Sequence, residues 1–308
     1  MSQYLVRRLM FAVPVLLGVS ISVFLMLHLI PGDPVLALLR GQPTVTAADV
    51  QRLRTQLGLD KPLPEQYLQW LGGVLHGDFG ESIQTHRPVL TMIREQAGST
   101  IQLAVVAMIM AVIVGSVLGT VSALRRNTWV DTIASLISLF GVSMPSFWFG
   151  LILIYIFSLR LGWFPVTGEG GWRRLVLPAI ALSLDFSAII ARLIRSSLIE
   201  VLQQDYIRTA RAKGLRETSV IVRHALRNAL MTVITIVGLQ IGTLLGGAVV
   251  IETVFARQGI GRLAVAGILG KDFPLIQAIV LLAAIVYVVI NLVVDLSYSL
   301  LDPRIRNT

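Results

Sequence analysis

The stretch AGSTIQLAVVAMIMAVIVGSVLGTVSAL, residues 97–124, carries no charged side chain over 28 positions. The seven residues RRNTWVD (125–131) follow, and then TIASLISLFGVSMPSFWFGLILIYIFSL (132–159), again 28 residues without a charge. At about 1.5 Å per helical residue each run reaches roughly 42 Å, longer than the roughly 30 Å hydrocarbon core of a bilayer. Two such runs joined by a short basic turn read as a hairpin of membrane-spanning helices.

Working outward, three further apolar stretches follow. Leu175 to Ala191 is interrupted by Asp185, Asn228 to Ile251 is uncharged, and Phe273 to Val294 continues in apolar character past Asp295 to Leu301. Upstream, Leu9 to Ile30 adds 22 uncharged residues behind Arg7 and Arg8. That run exceeds the roughly 7–15 apolar residues of a signal peptide, so it reads as a retained span. It closes at Pro31-Gly32-Asp33-Pro34. The sequence thus predicts an all-α membrane protein with six transmembrane helices. A polar region, residues 31–96, lies between spans one and two, with short amphipathic helices near Ala48–Leu57 and Glu65–Leu75.

Composition agrees. Only 14% of residues are charged and 55% are hydrophobic, against about 25% charged in a soluble domain. The chain has no cysteine, which excludes disulfides, thiolate metal sites and cysteine nucleophiles on it. Nothing reads as an active site. Gly270-Lys271-Asp272 is no nucleotide loop, and Gly259-Ile260-Gly261 reads as a turn. No pair of histidine ligands and no nucleophile constellation appears. We therefore expect no catalytic, cofactor-binding or metal-binding residues on this chain.

The net charge of +9 is explained by membrane topology rather than nucleic acid. With the N-terminus inside, residues 1–8, 125–131, 192–227 and 302–308 are cytoplasmic and hold 14 Lys and Arg. The two short outer segments hold 6. Basic residues gather on the cytoplasmic side, so both termini are expected there.

The longest cytoplasmic connection, Arg192–Arg227, carries the most pattern. Leu198, Val201, Leu202 and Tyr206 recur at helical spacing, so span four should extend into the cytosol. A short helix, Tyr206–Lys213, is then stopped by Gly214, where a left-handed residue is needed. Thr218 or Ser219 can cap the next helix. Such an element can pass force between a soluble partner and the spans, or it can be a solvated basic loop beside anionic lipid.

Within the spans, Pro145 either kinks a helix or lines a pathway. Asp185 costs about 2.5–3.5 kcal/mol in mid-span on insertion scales. It is either a structural hydrogen-bonding group or part of a pathway. Asp295 reads as a structural partner of a cytosolic arginine, His28 as an interfacial residue, and Trp163 with Phe164 as part of an aromatic belt.

The run Tyr206-Ile207-Arg208-Thr209-Ala210-Arg211-Ala212-Lys213-Gly214-Leu215, with Arg223-His224-Ala225-Leu226-Arg227-Asn228-Ala229-Leu230 after it, resembles the coupling loop of binding-protein-dependent ABC permeases. The likeness is to their dipeptide/oligopeptide/nickel branch. Arg208-Thr209-Ala210 stands where the family has Glu-Ala-Ala, Gly214 matches, and Met231-Thr232 replaces a common Ile-Pro. The resemblance runs along nearly the whole chain. It includes Leu57-Gly58-Leu59-Asp60-Lys61-Pro62, Gly77-Asp78-Phe79-Gly80, Ser143-Met144-Pro145-Ser146-Phe147-Trp148, Gly162-Trp163-Phe164-Pro165, Gly259-Ile260-Gly261-Arg262 and Leu301-Asp302-Pro303-Arg304-Ile305-Arg306.

The resemblance implies a type I ABC importer fold in a bacterial or archaeal plasma membrane. The expected divisions are a tail and first span (1–30), an outer segment (31–96), a permease core (97–301) and a tail (302–308). The core spans are expected at 97–124, 132–159, 175–191, 228–251 and 273–301, with a coupling loop at 192–227. It further implies a homologous second permease, two cytoplasmic ATPases that bind ATP and Mg, and an extracytoplasmic substrate-binding protein. The substrate class it implies is di- or oligopeptides, with nickel or glutathione as alternatives. A secondary transporter is the rival of a different class, and it should show more charge at the membrane midplane.

Overall fold

The computed structural model describes residues 2–29, 46–56, 60–166 and 171–301. Pro31 to Pro34, Leu57 to Leu59 and Asp302 to Arg306 lie outside these, as do the side chains of His28 and Asp295. The described residues are almost wholly helical. In chain order the helices are α1 (Ser2–Leu29), α2 (Ala47–Gln56), α3 (Leu63–Leu75), α4 (Val89–Leu124), α5 (Trp129–Ser143) and α6 (Ser146–Leu153). There follow α7 (Arg173–Val201), α8 (Asp205–Ala212), α9 (Glu217–Ser219), α10 (Arg227–Val254), α11 (Ile260–Gly270) and α12 (Phe273–Leu301). Two π-helical segments, Ile154–Arg160 and Val220–Leu226, extend α6 and join α9 to α10.

A helix occupies each of the six expected spans. α4, α7 and α12 are each long and apolar enough to cross a membrane. α5 and α6 together qualify as a fourth, and α1 and α10, at 28 residues each, carry the shorter apolar stretches Met10–Leu25 and Gly242–Val254. Three features differ from the sequence reading. α4 starts at Val89, eight residues before its uncharged run, because helix formation, unlike membrane insertion, carries no penalty for charges such as Arg94 and Glu95. Span three is two helices rather than one: α5 and α6 meet at 106°. Gly259 does sit in a bend, but Ile260 and Gly261 already belong to an apolar helix, α11, that the turn reading omitted.

The chain divides into two compact units, Met1–Gly98 with Arg262–Thr308, and Ser99–Gly261. In the first, α1 packs on α12 and α3. The Ser20 and Tyr67 hydroxyls share a 2.8 Å hydrogen bond, and Phe24 meets Tyr67 edge to face at 5.5 Å. Asp272 is buried and accepts from the Ser82 hydroxyl and the Ile83 N–H, which pins the stretch before α4 to the α11–α12 turn.

The second unit is built around α7. The structure buries 67% of its apolar window, against 22% for α4. This explains its sequence: an interior helix can hold Ser183, Asp185 and Ser187, whereas α4, little buried within this chain, stays continuously apolar. Glycines set the approach of its neighbours. A Cβ on Gly115 would lie 2.6 Å from the Ser187 carbonyl oxygen, and one on Gly119 2.5 Å from that of Ala191. Gly115-x-x-x-Gly119 is thus a small-residue crossing of α4 on α7, a pattern that lets membrane helices touch backbone to backbone. At the other end of α10, Glu252 is fully buried and accepts from Thr100 Oγ1 at 2.6 Å and the Gly261 N–H at 2.8 Å.

Candidate functional site

The segment after α7 folds as its local sequence dictates. Gln204 is extended, at φ −70 and ψ 148, which turns the chain out of α7. α8 then runs Asp205–Ala212, within a residue of the expected Tyr206–Lys213. Gly214 adopts φ +74, and the Gly214 and Leu215 N–H groups donate to the Arg211 and Ala210 carbonyls at 2.9 and 3.4 Å. This is the glycine-ended helix stop that the sequence predicts. The next helix is not capped by Thr218 or Ser219. Its N-cap is Arg216, with no side-chain hydrogen bond, and both hydroxyl residues lie inside α9.

α8 is two-faced. Ile207 and Ala210 are buried in a cluster with Ala123 of α4, Leu198 of α7, Val220 and Ala225 of the π-helical segment, and Ala229 of α10. The opposite face, Tyr206, Arg208, Thr209, Ala212 and Lys213, is exposed together with Leu215. Two polar braces hold the helix in place. Arg211 forks onto Glu217, Nε to Oε2 at 3.1 Å and Nη2 to Oε1 at 2.6 Å. The hydrogen-bonded partner raises the Arg211 pKa and lowers that of Glu217. Asn228 Nδ2 donates to the Tyr206 hydroxyl at 2.6 Å. The small side chain of Ala210 therefore serves packing within this chain, while that of Ala212 leaves the outer face smooth.

A second constellation, which the sequence reading missed, lies at the same end of the unit. Asp131, in the first turn of α5, is 5% exposed. Its carboxylate accepts from Arg195 Nε and Nη2, both at 2.8 Å, from Ser122 Oγ at 2.5 Å and from the Asn127 N–H at 3.0 Å. The Arg195 guanidinium, then the Ser122 hydroxyl, hold its pKa far below the usual carboxylate range. The local signal was available: Asn127, at φ 63, is a left-handed turn residue four positions before an acid at a helix start. Its partner Arg195 is 64 residues away and was not.

Pro145 ends α5 and opens α6. Having no N–H, it leaves the Gly141 carbonyl without its helical donor. The break lies against α7: a Cβ on Gly141 would meet Ala188 at 2.9 Å and the Leu184 carbonyl at 3.4 Å, and one on Gly150 would meet Ala181 at 3.6 Å. Asp185 sits on that same turn of α7. Its Oδ1 is buried and hydrogen-bonds to nothing among the described residues. Asp185→Leu is therefore expected to hold or raise the thermal stability of the isolated subunit, by up to about 1–3 kcal/mol, the cost of burying an unpaired polar group. A loss larger than about 1 kcal/mol in detergent melts would reveal a structural partner and refute this. Elsewhere, Trp163 is exposed and meets Phe157 at a tilt, with ring centroids 5.7 Å apart, and Phe164 packs onto the core of the unit.

Comparison with known proteins bears on the whole chain. Residues 115–307 match the family model described as binding-protein-dependent transport system inner membrane component, and residues 1–104 match the N-terminal membrane component of the same systems. The chain is 45% identical over 306 residues to the Glutathione transport system permease protein GsiC of Pectobacterium atrosepticum, covering 99% of each. It is 42% identical, with the same coverage, to GsiC of Escherichia coli (strain K12). Among solved structures, the inward facing MetNI methionine ABC transporter superposes with a TM-score of 0.58 at 18% identity, over 67% of this chain and 94% of that one. An amino acid ABC transporter with histidines gives 0.51 at 17% identity, over 70% and 94%. At such identities the structures speak for the fold alone. The family models account for both halves of the sequence. The chain belongs to the binding-protein-dependent transport system inner membrane components, and is a membrane permease subunit of an ABC importer.

Proposed function

We propose that this chain is one of two permeases in an ATP-driven importer of small peptides, with glutathione, itself a tripeptide, the first substrate to test. The relatives named for glutathione transport, at 42–45% identity over 99% of the chain, support that choice over nickel. The remaining parts of the assembly would be a second permease, two cytoplasmic ATPases binding ATP and Mg, and an external substrate-binding protein. The substrate path would lie in the spans, with Pro145 and Asp185 near it.

The observation that carries the coupling role is α8. Its apolar side is seated in the ends of α4, α7 and α10, and its polar side is open. An ATPase that grips Tyr206, Arg208, Thr209, Ala212, Lys213 and Leu215 would move three spans at once. Closure of the ATPases on ATP would then turn the pathway outward, and hydrolysis would return it. The whole importer, rebuilt in liposomes, tests this. A photocrosslinker at position 208 should capture the ATPase. Gly214→Val should leave insertion intact, since a Cβ there meets nothing within 4 Å. Its backbone strain, about 1–2 kcal/mol, should instead tilt α8 and cut glutathione uptake and substrate-stimulated hydrolysis together by about tenfold. Crosslinks to lipid alone, or normal uptake, would leave α8 a solvated loop.

Orientation is proposed as N-terminus inside. The absence of cysteine makes single-cysteine labelling clean: Lys61→Cys and Arg173→Cys should react from outside intact cells, while Arg126→Cys and Thr218→Cys should not. The reverse pattern would invert the topology.

A further inference from the structure

We propose that Asp131 is the positioning residue that carries movement of α8 into the broken span, α5 and α6; the proposal rests on the coupling role given to α8. The apolar cluster beneath α8 draws on α4, α7, α8, the π-helical segment and α10, and among the described residues it holds none from α5. α5 also packs directly on α7, the helix that carries part of this seat, but apolar packing is non-directional. Asp131 adds a polar link at the end nearest α8. Arg195 lies one turn before Leu198 on α7, and Ser122 is adjacent to Ala123 on α4, so the two residues that grip its carboxylate sit next to two that support α8.

Stability alone is a poor reason for such a pair, since an apolar isostere often serves as well. What the pair adds is direction. A guanidinium fork on a carboxylate fixes distance and angle together, and here the Ser122 hydroxyl and the Asn127 N–H take further lone pairs. The first turn of α5 is thereby bound to the body that carries α8. From there α5 runs unbroken to Ser143, where it meets α6 at 106°. A shift of the α8 seat thus enters α5 at Asp131 and reaches the bend at Pro145, beside the turn of α7 that bears Asp185.

The test uses the whole importer in liposomes, with glutathione as the transported probe, and counts glutathione imported per ATP hydrolysed. Asp131→Asn keeps the shape and loses the charge; Arg195→Lys keeps the charge and loses the fork. In Asp131→Asn the crosslink from position 208 to the ATPase should persist and hydrolysis should continue. Imported glutathione per ATP should fall by about tenfold, a size usual for coupling between linked sites, with a smaller fall in Arg195→Lys. A residue that only staples the fold would lower uptake and hydrolysis in parallel and leave the ratio unchanged, which overturns the proposal. If Asp131→Asn fails to assemble, the ratio in Arg195→Lys decides in the same way. If the wild-type crosslink itself is absent, the coupling reading of α8 fails first, and this one with it.

Discussion

Gly119→Val should unseat α4 from α7, at a cost of about 3 kcal/mol, the upper end of what overpacking costs. The added Cβ would lie 2.5 Å from the Ala191 carbonyl oxygen and 2.9 Å from the Ile194 Cβ. Neither neighbour can yield cheaply, because one is backbone and the other is a branched side chain in the buried middle of α7. Gly115→Val should behave alike, with Ser187 and Ile190 in the same positions. Gly18→Val on α1 is the control, since a Cβ there meets nothing within 4 Å. Thermal unfolding of the purified subunit in detergent reads all three. If Gly119→Val melts with Gly18→Val, the close crossing is wrong.

The second large effect is a rescue. Glu252→Ala should cost about 1–3 kcal/mol for each buried group left unpaired: the Gly261 N–H loses its acceptor, and Thr100 Oγ1 keeps only the Ile260 N–H. Gly259→Ala should be comparably harmful, because its Cβ would fall 2.2 Å from the Glu252 carboxyl carbon and must displace a carboxylate held on both oxygens. The two faults share one cause. With Glu252 cut back to alanine, the space at Gly259 opens, so the double variant should be more stable than the sum of the single costs predicts by about 1–3 kcal/mol. A thermal double-mutant cycle measures this directly, and simple additivity would show that Gly259 is needed for some other reason.

Much of the site was legible because its determinants are local. The end of α8 follows from one residue, Gly214, that takes positive φ at little cost. The two amphipathic helices between α1 and α4, observed at Ala47–Gln56 and Leu63–Leu75, follow from short-range periodicity. The Gly115-x-x-x-Gly119 signal was equally local and went unread. Other features were out of reach. Ala210 looks like a surface residue of a basic loop, and only the cluster with Leu198, Val220 and Ala229 turns it inward. Pro145 announces a break, but neither the 106° between α5 and α6 nor the packing of Gly141 against α7 can be read from it.

By itself, then, the sequence determined that the chain lies in a membrane, where its helices run, and to which family of permeases it is similar. The bilayer imposes length and lack of charge on each span separately, so each can be read without its neighbours. The tertiary structure decided which helix is central, which face of α8 is left exposed, and that Asp131 belongs with Arg195. Those are contacts between residues far apart in the chain. Their partners are chosen by packing, and no spacing along the sequence records them.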